Sequence, residues 1–75
     1  MNKSRRTRLR DAKMKLESLR EDIDNIREEE DEVRENMPEN LQYSDRFEES
    51  EDCSRAMEDA VGAIENAISY IEEAI

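Results

Sequence analysis

The fold is decided by residues 36–44, which read Asn-Met-Pro-Glu-Asn-Leu-Gln-Tyr-Ser. Pro38 is the only proline in the chain. A proline disfavours helical backbone in the residue before it and has no amide hydrogen to donate. A helix that arrives from the N-terminal side should therefore end near Asn36, and residues 37–44 should form a bend.

A second helix should begin directly after this bend. Ser44 or Asp45 can cap it, because both side chains accept hydrogen bonds from free amides at a helix N-terminus. Asp45 and Glu48 also have the spacing of a capping box. We therefore predict one helix at about 4–36 and another at about 45–75.

Both predicted helices carry mostly apolar residues at alternating spacings of three and four. In the first half these residues are Leu9, Ala12, Leu16, Leu19, Ile23, Ile26, Glu30, Val33 and Met37. In the second half they are Phe47, Ser50, Ser54, Met57, Val61, Ile64, Ile68, Ile71 and Ile75. A period of 3.5 residues held this long is typical of coiled-coil helices, and a short linker makes two helices antiparallel neighbours. We predict an all-α fold, with residues 1–75 forming a single antiparallel two-helix coiled-coil hairpin.

Three members of this core pattern are polar: Glu30, Ser50 and Ser54. In the predicted hairpin, facing residue numbers sum to about 82, which places Glu30 opposite the two serines. A polar layer of this kind fixes the register of two helices at some cost in stability. At the bend itself we expect a small apolar plug made by Met37, Leu41, Tyr43 and Phe47.

The positions that flank the core support an antiparallel pairing. If the first core position is called a and the second d, every e position of the first helix is basic: Arg6, Lys13, Arg20, Arg27 and Arg34. Every e position of the second helix is acidic: Glu51, Glu58, Glu65 and Glu72. In an antiparallel pair the e positions of the two helices lie side by side, and flanking charges select partner and orientation.

Small residues occupy the g positions of the second helix: Cys53, Ala60, Ala67 and Ala74. Small side chains allow another helix to approach closely. A lone hairpin buries its core on one side only, and chains of this size gain about 3–5 kcal/mol from one core. We expect a homodimer that completes a four-helix bundle through this face. The open alternative is that the face receives the helix of another protein.

Composition excludes several classes of protein. The chain has 75 residues, of which 45% are charged and 35% hydrophobic, with one Gly, one Cys and no His. Such a chain cannot build a layered α/β core. Without His the common bases and zinc sites are missing, and nothing predicts a catalytic, metal or cofactor site. No apolar run is long enough to span a membrane. A single Cys gives no internal disulfide, so we expect a cytoplasmic protein.

Charge is distributed unevenly along the chain. Residues 1–20 carry eight bases and two acids, whereas residues 21–75 carry four bases and twenty acids, and the formal net charge is −10. The acids concentrate around the bend, at Glu28, Glu29, Asp31, Glu32, Glu35, Glu48, Glu49 and Asp52. We call these eight residues the acidic end and expect it to bind a basic protein. The basic N-terminal segment has no interleaved aromatic residue and the chain repels phosphates, so we expect no direct nucleic-acid binding.

The segment from Glu35 to Arg46, followed by a helix rich in Ala, Ile and Glu, resembles small acidic helical proteins of phages and prophages of Gram-positive bacteria. That group combines a basic N-terminal helix, an Asn-hydrophobe-Pro-Glu-Asn-Leu-Gln bend and an acidic closing helix. The resemblance implies a phage-encoded protein that acts in the host cytoplasm, and it implies no assigned activity.

We therefore expect a non-enzymatic interaction protein and interpret it as a phage accessory protein or inhibitor of host defence that mimics a nucleic acid. One alternative is a structural assembly factor that binds a partner helix through Ala60 and Ala67. Another is a small regulator that contacts nucleic acid through Arg5, Arg6, Arg8 and Arg10.

Overall fold

The computed structural model describes residues 1–75 and contains two long α-helices and no β-strand. Helix α1 spans Lys3–Glu35 and helix α2 spans Asp45–Ala74, and a single 3-10 turn at Glu39–Leu41 lies between them. The two helices pack side by side along a rod of 60 × 14 × 12 Å. The predicted all-α two-helix hairpin is confirmed. Neither helix contains a stretch apolar enough to cross a membrane.

Helix α1 is capped at both ends by asparagine. The side chain of Asn2 accepts a hydrogen bond of 2.8 Å from the backbone amide of Arg5. At the other end the amide of Asn36 still donates to the carbonyl of Glu32 at 3.1 Å, after which the chain leaves the helix. The basic N-terminal segment is therefore helical from Lys3 onward, because the Asn2 cap satisfies an amide that would otherwise be free.

Helix α2 begins at the predicted place, directly after the bend. Of the two candidate caps, Ser44 takes this role, since its hydroxyl accepts from the amide of Phe47 at 3.3 Å. The same hydroxyl donates to the carbonyl of Leu41 at 2.6 Å. One serine thus closes the 3-10 turn and opens the helix, which fixes the direction in which α2 leaves the bend.

The apolar plug at the bend is smaller than predicted. Met37 and Phe47 are half-buried, but Leu41 exposes 45% of its surface and Tyr43 exposes 93%. The 3-10 turn causes this difference. It is closed by the amide of Leu41, which donates to the carbonyl of Pro38 at 2.9 Å, and it turns the residues that follow toward solvent.

Helix α1 faces α2 with a different side from the predicted one. The d-position residues Leu19, Ile26 and Val33 expose 51%, 53% and 58% of their surface, so they are not core residues of the hairpin. Several e-position bases are instead half-buried: Lys13, Arg20, Arg27 and Arg34. The aliphatic stems of such side chains cover apolar surface while their charged heads reach polar groups. The face of α1 that contacts α2 therefore consists of a and e positions rather than of the predicted a and d positions.

The core of α2 follows its predicted a and d positions. Ile68, Ser50 and Ser54 are buried, with exposures of 7%, 6% and 4%. The two serines leave space that longer side chains of α1 enter. The polar layer near the bend therefore exists. Asp31 and Arg34 form its hydrogen bonds to the serines, while the half-buried Glu30 lines a groove beside Ser50 without bonding to either serine.

The contacts between the helices also indicate their register. The ion pair between Lys13 and Glu72 and the hydrogen bond between Asp31 and Ser54 each join residues whose numbers sum to 85. The predicted sum was about 82. The hydrogen bonds from Arg34 to Ser50 and Ser54 give sums of 84 and 88, so the observed contacts lie slightly above the predicted sum.

Candidate functional site

The most highly connected site of the hairpin is a polar cluster near the bend, formed by Asp31, Arg34, Ser50 and Ser54. The Ser54 hydroxyl donates to Asp31 Oδ1 at 2.7 Å, and Arg34 Nη2 donates to the same oxygen at 2.7 Å. Arg34 Nη1 donates to the hydroxyl of Ser54 at 2.8 Å and to the hydroxyl and carbonyl of Ser50 at 3.2 Å each. No buried side-chain polar atom of the chain lacks a hydrogen-bond partner. The cluster is therefore a hydrogen-bonded contact between the two helices.

The polar cluster continues along α1 as a ladder of opposite charges. Arg27 Nη1 lies 2.6 Å from Asp31 Oδ2, and Arg27 Nε lies 3.1 Å from Asp24 Oδ1. The hydrogen bonds from Ser54 and then Arg34 hold the pKa of Asp31 below its ordinary value. The hydrogen bond to Asp24 is the largest cause that raises the pKa of Arg27. Arg27 and Asp31 therefore both stay charged near neutral pH.

The acidic end surrounds the bend and lies almost entirely in solvent. Seven of its eight residues are exposed, and Asp31 is the exception because it belongs to the polar cluster. Glu28 lies 3.9 Å from Arg27, and the exposed Asp52 pairs with Arg55 at 2.6 Å. The remaining five acids form no ion pair within the chain: Glu29, Glu32, Glu35, Glu48 and Glu49.

The bases near the bend do little to neutralise this surface. Arg27 and Arg34 point into the ladder and the polar cluster, with only 20% and 18% of their side chains exposed. Arg46 is exposed and forms no ion pair. Arg34 thus joins the two helices and Arg27 pairs along α1, while the unpaired carboxylates face outward.

At the open end of the hairpin one predicted pair of e positions meets directly. Lys13 Nζ lies 3.0 Å from Glu72 Oε1 and 3.8 Å from Glu17 Oε1. The hydrogen bond to Glu72 is the largest cause that raises the pKa of Lys13. Farther toward the bend, the charge of Glu58 acts on Arg27 in the same sense. The basic column of α1 therefore lies beside the acidic column of α2.

A second surface of the hairpin is apolar. Leu19, Ile26 and Val33 form a ridge along α1, and we call these three residues the apolar ridge. Ile26 and Val33 line a shallow groove together with Met57 of α2, and Cys53 lines the next groove toward the bend. The small g positions of α2 therefore lie on the same side of the hairpin as the ridge, and we call Cys53, Ala60 and Ala67 the furrow.

The remaining candidates lie on the open surface of the hairpin. The concavities on the surface are open grooves, and no group of His, Cys, Asp or Glu side chains is placed to hold a metal ion. Cys53 is a free, exposed thiol. At the N-terminus, Met1, Arg5, Arg8 and Leu9 line a further open groove. The arginines Arg5, Arg6, Arg8 and Arg10 are all exposed on the first turns of α1.

Sequence reasoning missed the role of Asp31 and Arg34 as a structural pair, although the sequence contains a signal for it. Asp24, Arg27, Asp31 and Arg34 follow each other at spacings of three, four and three. Residues at these spacings share one face of a helix and can pair along it. Two serines at core positions of α2 leave the space that such a face needs.

Comparison with protein-family models, with curated proteins and with solved structures gave no match for this chain.

Proposed function

We propose that this chain is a non-enzymatic interaction protein whose acidic end binds a basic surface of another protein. The observation that carries this proposal is the contrast between paired and unpaired carboxylates. Asp31 is bound by Arg27, Arg34 and Ser54, whereas five neighbouring acids face solvent without an ion pair. A concentrated field of this kind raises the rate at which an oppositely charged partner associates.

The geometry of the acids fits a partner that binds nucleic acid. Glu28, Glu32 and Glu35 follow one another along exposed positions of α1, separated by about one helical turn, ~5 Å. A row of negative charges at such intervals resembles a phosphate backbone in chemical terms. Together with the resemblance of the bend to phage proteins, this supports a phage accessory protein or inhibitor that acts in the host cytoplasm on a defence or nucleic-acid-processing enzyme.

Charge reversal with a matched control tests this proposal. One variant combines Glu32→Lys, Glu35→Lys and Glu48→Lys at the acidic end. The control combines Asp11→Lys, Glu21→Lys and Glu73→Lys, three exposed acids outside it. Both variants change the net charge equally. Each is used with the wild type to purify partners from host extract at low and high salt.

Binding through the acidic end requires that the wild type and the control retain the same protein at low salt and release it at high salt. The variant of the acidic end should fail to retain it under either condition. If that variant and the control lose the partner equally, only the net charge matters and the acidic end is not the site.

We also propose that the functional unit is a homodimer in the form of a four-helix bundle. The apolar ridge supports this, because Leu19, Ile26 and Val33 each expose more than half of their surface in the hairpin. Apolar side chains that are exposed together on one face often mark an interaction surface, whereas single exposed ones are ordinary. Sedimentation at micromolar concentration tests the dimer, and a folded monomer in that range would contradict it.

The same apolar face supports one alternative, a structural assembly factor that binds the helix of another protein. Substitution of Ala60 and Ala67 by larger residues would then abolish partner binding, while reversal of the acidic end would leave it intact. A regulator that contacts nucleic acid through Arg5, Arg6, Arg8 and Arg10 is distinguished by retention on DNA at moderate salt.

A further inference from the structure

The apolar face of the hairpin is uneven across its width. The ridge on α1 carries large side chains, and the furrow beside it on α2 carries small ones. The two run at the same heights along the rod. Leu19 and Ala67, Ile26 and Ala60, and Val33 and Cys53 have numbers that each sum to 86. The polar contacts between the helices join residues whose numbers sum to 84, 85 and 88. The ridge and the furrow therefore match the register of the helices to within one or two residues, about 1.5–3 Å along a helix.

We propose that a second copy of this chain covers this face with the two hairpins parallel, bend beside bend. This inference rests on the homodimer proposed above and specifies its arrangement. A two-fold axis along the rod carries the ridge of one copy over the furrow of the other at the same height. Each large side chain of the ridge then fills the space above a small one of the furrow, as close packing requires.

The other face-to-face arrangement has its two-fold axis across the rod and lays ridge on ridge. Ile26 would then face Ile26 of the second copy, and Leu19 would face Val33. The furrows would be left without large side chains to fill them. Unfilled apolar space is unfavourable because the atoms that line it lose their contacts. Shape therefore favours the parallel arrangement.

Local charges favour the same arrangement. The g positions Asp22 and Glu29 of α1 flank the ridge. In the parallel dimer they lie beside Ala63 and Ala56 of α2 in the second copy, at heights whose numbers sum to 85. In the ridge-on-ridge dimer Asp22 would face Glu29 of the second copy, and this like-charge contact would occur twice. Like charges in direct opposition disfavour an arrangement.

The length of the rod allows an extended contact between two copies. A rod 60 Å long and 14 Å wide has a whole side of about 800 Å², and a standard interface takes about this area from each partner, so a dimer of standard size would use the full length of the hairpin. Parallel docking also brings two acidic ends together at one end of the bundle. Their repulsion is screened over about 8 Å at physiological ionic strength. Salt should therefore strengthen the dimer while it weakens binding of a basic partner.

Disulfide trapping between different chains tests the arrangement. One chain carries Val33→Cys together with Cys53→Ala, and the other is the wild type with Cys53. Neither chain has two cysteines, so no disulfide can form within a chain. The matched control combines Met14→Cys with Cys53→Ala, because Met14 is 62% exposed and lies on the opposite side of α1. A third variant combines Ile26→Cys with Cys53→Ala and reports the ridge-on-ridge arrangement by linking to itself.

Under mild oxidation the Val33→Cys chain should link to the wild-type chain at least about tenfold more than the Met14→Cys control does, because pairing raises the effective concentration of the thiols. Self-linkage of the Ile26→Cys chain, with no excess linkage between Val33→Cys and the wild type, would overturn the parallel arrangement and leave the dimer intact. Sedimentation of the same chains as monomers, with linkage no greater than the control, would overturn both the arrangement and the dimer.

Discussion

Ser54 near the bend and Ile68 near the open end are two of the most buried residues of α2, with exposures of 4% and 7%. They hold the hairpin together in different ways. The Ser54 hydroxyl donates to Asp31 and accepts from Arg34, so its contacts are directional and allow one register. Ile68 contributes apolar burial, which is larger in free energy but tolerates sliding. We therefore expect the bend half to specify the register and the open half to supply most of the apolar stabilisation.

The largest effect should come from removing the apolar contact at the open end. Ile68→Ala deletes a buried side chain and should lower the free energy of unfolding by about 2–5 kcal/mol. Since a chain of this size gains about 3–5 kcal/mol from its core, the variant should be largely unfolded at room temperature. Circular dichroism during thermal unfolding measures this loss. Met14→Ala, at an exposed position of α1, should change stability by less than about 0.5 kcal/mol, and equal losses in both variants would contradict the comparison.

A smaller effect is expected in the polar cluster. Ser54→Ala removes a donor to Asp31 and an acceptor for Arg34, and it should lower the free energy of unfolding by about 1–3 kcal/mol. Chemical denaturation measures the change. Ser69→Ala is the matched control, because Ser69 is exposed on the same helix and alanine is the better helix former. If Ser54→Ala were as stable as the control, the cluster would contribute nothing to the fold.

The pH dependence of the cluster has a defined sign. Hydrogen bonds from Ser54 and Arg34 lower the pKa of Asp31 in the folded state. Its contribution to stability is therefore complete above the ordinary carboxyl pKa of about 4 and is lost as the pH falls through the lower folded value. The difference in unfolding free energy between the wild type and Asp31→Asn should be constant from pH 7 to about pH 5 and shrink below about pH 4. A difference that grows on acidification would contradict this assignment.

The sequence predicted the elements well because local signals specify them. Pro38 and Ser44 mark the bend, and an unbroken alternation of three and four marks the helices. The sequence did not predict which face of α1 meets α2. A heptad pattern places Leu19, Ile26 and Val33 at the contact between the helices. In the structure the long basic side chains of the e positions occupy that contact instead, and these three residues remain exposed. The 3-10 turn at Glu39–Leu41 also has no clear local signal.

A stabilising substitution in α2 can be made that alters neither the polar cluster nor the apolar contacts of Ile68. A Cβ atom added at Gly62 would meet nothing within 4 Å. Gly62→Ala should therefore raise the free energy of unfolding by up to about 1 kcal/mol, because glycine weakens a helix interior. Thermal unfolding measures the gain. A loss of partner binding in this more stable variant would show that another chain packs closely against Gly62.

The smallest effect is expected at the one ion pair that joins the open ends of the helices. Lys13 and Glu72 are both partly exposed, at 27% and 55% of their side chains, and exposed pairs of this kind stabilise proteins only weakly. Lys13→Glu and Glu72→Lys alone should each lower the melting temperature slightly, because each sets like charges side by side. The double exchange should restore most of that loss at low salt and show little difference at high salt, as a double-mutant cycle measures. Recovery would mean that direct charge pairing also helps to set the orientation of the two helices at the open end. If the exchange fails to recover, the open end is held by burial alone, and the polar cluster near the bend is what sets the register of the whole hairpin.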